Sequence, residues 1–272
     1  MTSTYAYKKK KRIKISDVIL TLMLFSAAIV IIFPVIYTAG KSFLPVSNET
    51  KIDFSGYADF FLWKPLYLRA FLNSSLIAGT AALGSAIIAL FASYVFAKVK
   101  FWGREILFYL YIIVMMMPFQ VTLLPQYIVS KNLLSIYDTP AALILPGIFT
   151  PFAVFLLTQI VKTIPDYLIE AARLETKSTF RIIIKIILPQ VKTGLVCLIV
   201  LNFTEYWNMI AEPLVLMETV AKFPLSVRIP EMLAKSDIGA TAASVAFLIP
   251  PLLLYMFFKD EIADGLSGYK LK

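Results

Sequence analysis

The 272-residue chain contains no histidine and a single cysteine, Cys197. The first absence removes the Ser-His-Asp triad, the Cys-His pair and the HExxH zinc site. The second rules out an internal disulfide. Charge is scarce as well: 16% of residues are Asp, Glu, Lys or Arg, against about 25% in soluble domains. What fills the space is apolar. Hydrophobic residues make up 59% of the chain and mean hydropathy is +0.79, whereas soluble domains average about 45–50% apolar. Disordered, collagen-like and disulfide-scaffold classes are excluded, and a polytopic membrane protein remains. The net charge of +9 raises nucleic acid as a partner, but the placement of the cations points to the membrane surface instead.

A helix needs about 20 apolar residues to cross a bilayer core of about 30 Å. Six stretches qualify: 18–39, 72–97, 106–129, 141–161, 194–210 and 239–258. The basic run Lys8, Lys9, Lys10, Lys11 and Arg12, with Lys14, precedes the first. That first stretch is longer than a signal-peptide core and no small-residue cleavage site follows, so an uncleaved anchor is expected. The positive-inside rule then places the N-terminus in the cytoplasm, and six spans return the C-terminus there. The resulting topology puts 18 Lys and Arg residues inside and 8 outside, consistent with that rule. Four parts are expected: a basic N-terminus (1–17), the first span and outer loop (18–69), a core of spans two to six (70–260) and a C-terminal tail (261–272).

The second span carries Ala81, Ser85, Ala89, Ser93 and Ala97 at a spacing of four, a stripe over which a neighbouring helix can approach closely. Prolines interrupt or flank several spans, among them Pro118, Pro125, Pro146, Pro151 and Pro189. Such breaks are tolerated where neighbours or a cavity satisfy the freed carbonyls, which favours a transporter or channel over a plain anchor. Within the fifth span, Asn202, Glu205 and Asn208 are polar positions in an apolar run. Polar groups in a membrane face a bundle interior or a water-filled path, and the aromatic Tyr206 and Trp207 stand among these positions. Alternatively, Glu205 lies at the outer interface, solvated or paired.

The segment 162–192, KTIPDYLIEAARLETKSTFRIIIKIILPQVK, is the most informative. Thr163, Ile164, Pro165 and Asp166 form a capping-box-like start, and a short helix is expected over 165–175. Leu168, Ala171, Ala172 and Glu175 share one side of it, the two alanines forming a smooth surface for another protein. Beyond it, Lys177, Arg181, Lys185 and Lys192 line one face of an apolar segment. It is expected to lie along the cytoplasmic interface until Pro189 turns the chain into the membrane.

Glu170, Ala171 and Ala172, followed by Ile187, Leu188 and Pro189, resemble the EAA loop of ABC importer permeases. Phe71 to Ser75, Ala97 to Arg104, Pro118-Phe119-Gln120, Trp207-Asn208, Pro213-Leu214 and Asp264 to Gly268 recur in order as in one subfamily, the smaller six-span partner of maltose-type carbohydrate permeases. The resemblance implies an all-α membrane protein of the type I ABC importer permease fold, with six transmembrane helices and a cytoplasmic coupling helix in the loop 163–178. It implies a bacterial cytoplasmic-membrane location and three partners: a second permease subunit, an ATP-binding cassette ATPase dimer and an extracytoplasmic solute-binding protein. No cofactor is expected on this chain, Mg-ATP belonging to the ATPase, and neither catalysis nor nucleic-acid binding is implied. By resemblance, Glu170, Ala171, Ala172, Arg173, Leu174 and Thr176 couple to the ATPase, and the fifth-span set Asn202, Glu205, Tyr206, Trp207 and Asn208 supplies candidates for the translocation path. The solute is expected to be a mono- or oligosaccharide, with polyols or glycerol phosphates open. One departure stands out: Thr176 occupies a position where the family usually has Gly, a residue that reaches left-handed conformations cheaply.

A secondary transporter would show repeated halves and ionisable groups near the midplane; the sequence shows no internal repeat and few such groups. A membrane enzyme would need a clustered acid–base or metal set, and the carboxylates are scattered.

Overall fold

The computed structural model describes residues 15–44, 52–235 and 237–266, and the side chains of 18–44, 52–235 and 237–263. The basic run at 8–14 and the end of the C-terminal motif lie outside the described residues. The chain divides into two units, one ending at Phe54 and one beginning at Ser55. The first contains the 27-residue helix Ile15–Lys41, which is apolar around its circumference. Ser26 and Thr38 turn their hydroxyls back onto the carbonyls of Met23 and Pro34, at 2.9 and 2.8 Å. This is how a hydroxyl is satisfied where water is absent.

The second unit is a helical bundle built on the 34-residue helix Pro65–Lys98. The fourth and fifth spans pack along it, and the sixth packs along the fifth. Close packing follows from the small residues: Ala81, Ser85, Ala89 and Ser93 are all completely buried. With no long side chain between them, the backbones approach until van der Waals contact limits them. Ser85 and Ser93 donate to the Ala82 and Leu90 carbonyls in their own helix. Asn202 of the fifth span donates to Ser85 Oγ at 2.6 Å, a buried bond worth about 0.6 kcal/mol in a membrane setting.

Among the described residues, five helices are long and apolar enough to cross a membrane: Val18–Lys41, Pro65–Lys98, Ala141–Lys162, Thr179–Asn208 and Gly239–Ala263. The third expected span is not a straight rod. Arg104–Met115 and Phe119–Leu133 meet at 99°, because Pro118 stands at the break with ψ 134° and disfavours helix at the residue before it. The fourth span is also interrupted. Thr150 is extended, at φ −63° and ψ 125°, immediately before Pro151.

The fifth span begins about four turns earlier than expected. Its helix runs unbroken through Pro189, with a wide turn over Ile183–Ile187 just before it. Proline clashes with the carbonyl four residues back and cannot donate; a wide turn moves that carbonyl aside. The basic segment is therefore the first part of this span. Ile182, Ile183, Ile187 and Val191 are buried while Lys177, Arg181, Lys185 and Lys192 are exposed.

At the opposite end, the connection between the fifth and sixth spans is fastened to the bundle. Asn73 donates to the carbonyls of Ala221 and Phe223, and Ser74 Oγ accepts from Leu225 N. Asp138, at φ 56°, accepts from the backbone N–H groups of Glu218 and Thr219 and from Lys222 Nζ, at 2.9, 2.9 and 2.8 Å. Burial alone would raise the Asp138 pKa, but Lys222 and the Thr219 hydroxyl outweigh it and hold the carboxyl low.

Candidate coupling and translocation sites

The helix in the 163–178 loop spans Asp166–Glu175. Its start differs from the expected capping box: no side chain caps it. Thr163 instead donates to the Ile160 carbonyl at 2.7 Å, finishing the fourth span. Asp166 reaches Lys98 at 2.7 Å, and the ammonium holds its carboxyl below the usual carboxylate range. The other end resolves the departure at Thr176. That residue is extended, at φ −147° and ψ 136°, a region a β-branched residue favours. No left-handed turn is made, so glycine is not needed there. Thr176 N donates to the Ala172 carbonyl at 3.0 Å, and its hydroxyl accepts from Ser178 N at 3.2 Å.

The two faces of this helix differ sharply. Ile169 and Ala172 are buried in one cluster with Leu90, Tyr94, Leu157, Val161, Ile182 and Ile187, drawn from the second, fourth and fifth spans. Ala172 therefore faces the chain's own core, and the smooth outer surface expected of the alanine pair is provided by Ala171 alone. Tyr167, Glu170, Ala171 and Leu174 point outward, Leu174 being 91% exposed. Their spacing of three, four and seven places them on one face. Arg173, also exposed, reaches back to donate to the Tyr94 hydroxyl at 3.4 Å. Lys98 falls in the recurring stretch Ala97 to Arg104, but its pairing with this helix is not legible there, because a lysine at a span end looks like an ordinary interface anchor; Tyr94 lies outside the motif.

The fifth-span set separates in the same way. Asn202 is buried against Ser85. Trp207 is fully buried, its ring stacked on Phe203 and Phe247 and its Nε1 donating to the Phe247 carbonyl at 3.0 Å. That ring is sealed inside the bundle and has no face free for a sugar within this chain. Glu205 and Tyr206 instead border a cavity of about 670 Å³. The break in the third span and the break in the fourth both open onto it, since Met117, Phe119, Phe149 and Thr150 line it. Its polar lining includes Thr122, Gln126 and a second carboxylate, Glu212. Glu212 lies beyond the fifth-span helix, past the break at Met209 and Ile210, so helical spacing from Glu205 does not flag it. Asn208 borders an adjoining recess and donates to the Thr204 carbonyl at 2.7 Å. Among the described residues, no group of His, Cys, Asp or Glu is placed to hold a metal ion.

Residues 84–267 match the family described as "Binding-protein-dependent transport system inner membrane component". The chain belongs to this family. The match takes in the fourth to sixth spans, the coupling helix and the cavity lining. The permease is 28% identical to the arabinooligosaccharides transport system permease protein AraQ of Halalkalibacterium halodurans, over 95% of this chain and 98% of that one. It is 31% identical to the sn-glycerol-3-phosphate transport system permease protein UgpE of Shigella flexneri, over 74% and 73%. A bacterial ABC transporter involved in import of the acidic polysaccharide alginate shares the fold, with a TM-score of 0.80 at 19% identity, covering 92% of this chain and 99% of that one. The permease is thus an inner-membrane transport subunit and not an enzyme; nucleotide acts on a separate ATPase.

Proposed function

We propose that this permease forms half of the membrane path of an ATP-driven importer for an uncharged saccharide, with a second permease completing the path. An ATPase dimer docks on the helix Asp166–Glu175, and an extracytoplasmic binding protein delivers solute at the opposite end. Both termini lie in the cytoplasm. The observation that carries this reading is the two-faced helix: one side is rooted in the bundle core, the other offers Tyr167, Glu170, Ala171 and Leu174 outward. Tyr167, Ala171 and Leu174 are exposed together on that outer side, and a contiguous apolar patch of this kind marks a protein–protein contact.

The cavity supports the solute class. Glu205 and Glu212 line it, and no Lys or Arg does so. Carboxylates accept hydrogen bonds from sugar hydroxyls and repel phosphate or uronate groups. That favours a neutral sugar, in the direction of the arabinooligosaccharides named for AraQ, over the glycerol phosphate named for UgpE. Glu205, Tyr206 and Asn208 contribute to the path, while Asn202 and Trp207 hold the helices that carry them.

The test is co-purification of the tagged chain, with ATPase and uptake assays in nanodiscs or vesicles. Glu170→Ala and Ala171→Asp are expected to release the ATPase or abolish solute-stimulated hydrolysis. Glu205→Gln is expected to leave the assembly intact and lower uptake about ten-fold, the worth of one charge-assisted hydrogen bond. A chain that purifies alone and transports without ATP overturns the reading.

A further inference from the structure

We infer that Lys98 is a positioning residue that ties the second and fourth spans and the coupling helix into one rigid lever; this rests on the proposed docking of an ATPase. A lysine ending a span ordinarily extends its amine to water or headgroups. Lys98 does the reverse. Its side chain is only 6% exposed, and its ammonium donates to two acceptors on the far side of the third and fourth spans in sequence. One is the carbonyl of Ile164, in the turn that leaves the fourth span; the other is Asp166 Oδ1, at 2.7 Å, the first residue of the coupling helix. One amine therefore meets the ends of three elements.

The tie is repeated one turn earlier on the same helix. Tyr94 is 1% exposed, and its hydroxyl accepts from Arg173 at 3.4 Å. Residues 94 and 98 lie on one face of the second span, while 166 and 173 lie near opposite ends of the coupling helix. Held at both ends, that helix cannot swivel on its apolar inner face. Apolar contact is non-directional and would permit such slippage; two directed bonds do not. A displacement imposed on Tyr167, Glu170 and Leu174 would then pass to the second span, whose other half is packed against the fifth span and, through Gly147, the cavity wall.

Lys98→Met, Asp166→Ala and Lys98→Arg, each in the full importer in nanodiscs, test the lever through solute moved per ATP hydrolysed. Lys98→Met is expected to keep its bound ATPase and continue hydrolysis, while solute per ATP falls about five-fold or more, the low end of measured couplings between sites. Lys98→Arg keeps the charge and the donors and should fall between Lys98→Met and wild type. An unchanged ratio in Lys98→Met overturns the inference, as does a loss of uptake that only tracks loss of bound ATPase. If Lys98→Met does not assemble, Asp166→Ala decides: that side chain is 76% exposed, its truncation removes the acceptor, and a ratio equal to wild type sinks the lever. Amide exchange of 166–175 in the chain alone reads the tie without any ATPase. Exchange about ten-fold faster in Lys98→Met is expected, and equal exchange overturns the tie even where the docking reading has failed separately.

Discussion

A methyl group placed on Gly147 would sit 2.7 Å from Tyr206 Cζ and 2.8 Å from Ala81 Cβ. Ala81 has no torsion to turn and cannot yield, and the Tyr206 ring can give way only by swinging into the cavity it lines. A methyl on Gly194 would come closer still, 2.2 Å from Ile160 Cδ1, but that atom is the end of a side chain with two torsions. The shorter distance should therefore be the cheaper clash. Gly147→Ala is expected to cost about 1–3 kcal/mol and Gly194→Ala less, read as melting temperatures in detergent; the reverse order would mean that the helix backbones there can part. Acid sensitivity belongs at this scale too. Asp237 accepts from Lys64 Nζ at 2.8 and 2.9 Å, from the Tyr67 hydroxyl and from Gly239 N at 3.1 Å, with Asp59 on the same ammonium. Burial pushes the Asp237 carboxyl up, but Lys64, Tyr67 and the Gly239 amide together hold it well below the usual carboxylate range. Its folded pKa lies under its unfolded one, so its stabilisation is fully present above about pH 4 and is lost as pH falls through the depressed value. The melting-temperature gap between wild type and Asp237→Asn should be flat from pH 7 to about pH 5 and narrow below about pH 4. A gap that widens on acidification would show that the carboxylate is not held by donors.

At the scale of the element, the coupling helix is closed by an extended threonine rather than a left-handed glycine. Thr176→Gly is expected to destabilise the loop by about 0.5–1 kcal/mol, through added freedom in the unfolded chain and loss of the hydroxyl bond to Ser178 N. Faster amide exchange at 172–178 with unchanged ATPase binding is the expected result; a gain in coupling would mean that the loop prefers the turn the family uses. The helix itself was legible because Pro165, an acid and two alanines compress a start and a surface into ten residues. Its facing was not legible, because Ala171 and Ala172 are adjacent and only the packing of Ile169 decides which of them turns inward. The same limit applies to the fifth span. Its polar positions were plain against an apolar background, yet Asn202 is buried with Leu198 and Trp207 while Glu205 and Asn208 share the open face with Leu201. A span with neighbours on several sides has no single polar face for periodicity to reveal. Its beginning was hidden for another reason: Pro189 reads as a helix boundary, and the wide turn before it that removes the clash has no marker in sequence. Pro118 was visible as an interruption, but whether a proline bends a helix slightly or by 99° depends on what the neighbouring helices leave room for.

For the whole molecule, the number of crossings turns on the bent pair Arg104–Met115 and Phe119–Leu133, which by shape alone is either a broken span or a re-entrant loop. The bond from Lys98 to Asp166 favours counting it as a broken span. Lys98 ends the second span and Asp166 follows the fourth, and at 2.7 Å they occupy the same side of the bilayer. If the fourth span is one crossing between them, the bent pair supplies the other, which brings the candidate spans among the described residues to six. In the proposed topology that shared side is the cytoplasmic one, where 18 of the 26 Lys and Arg residues fall. Three single cysteines test both steps against a quiet background, since the native Cys197 is buried. Trp102, 96% exposed, follows the second span; Lys177 follows the coupling helix; Glu218 lies in the connection beyond the fifth span. A membrane-impermeant maleimide on intact cells should label Glu218→Cys at once, and Trp102→Cys and Lys177→Cys only after permeabilisation. If Trp102→Cys and Lys177→Cys fall on opposite sides, the bent pair is re-entrant and the six-span count is wrong. If they fall together on the outside, the count stands and the orientation is inverted, which would put the helix Asp166–Glu175 out of reach of any ATPase.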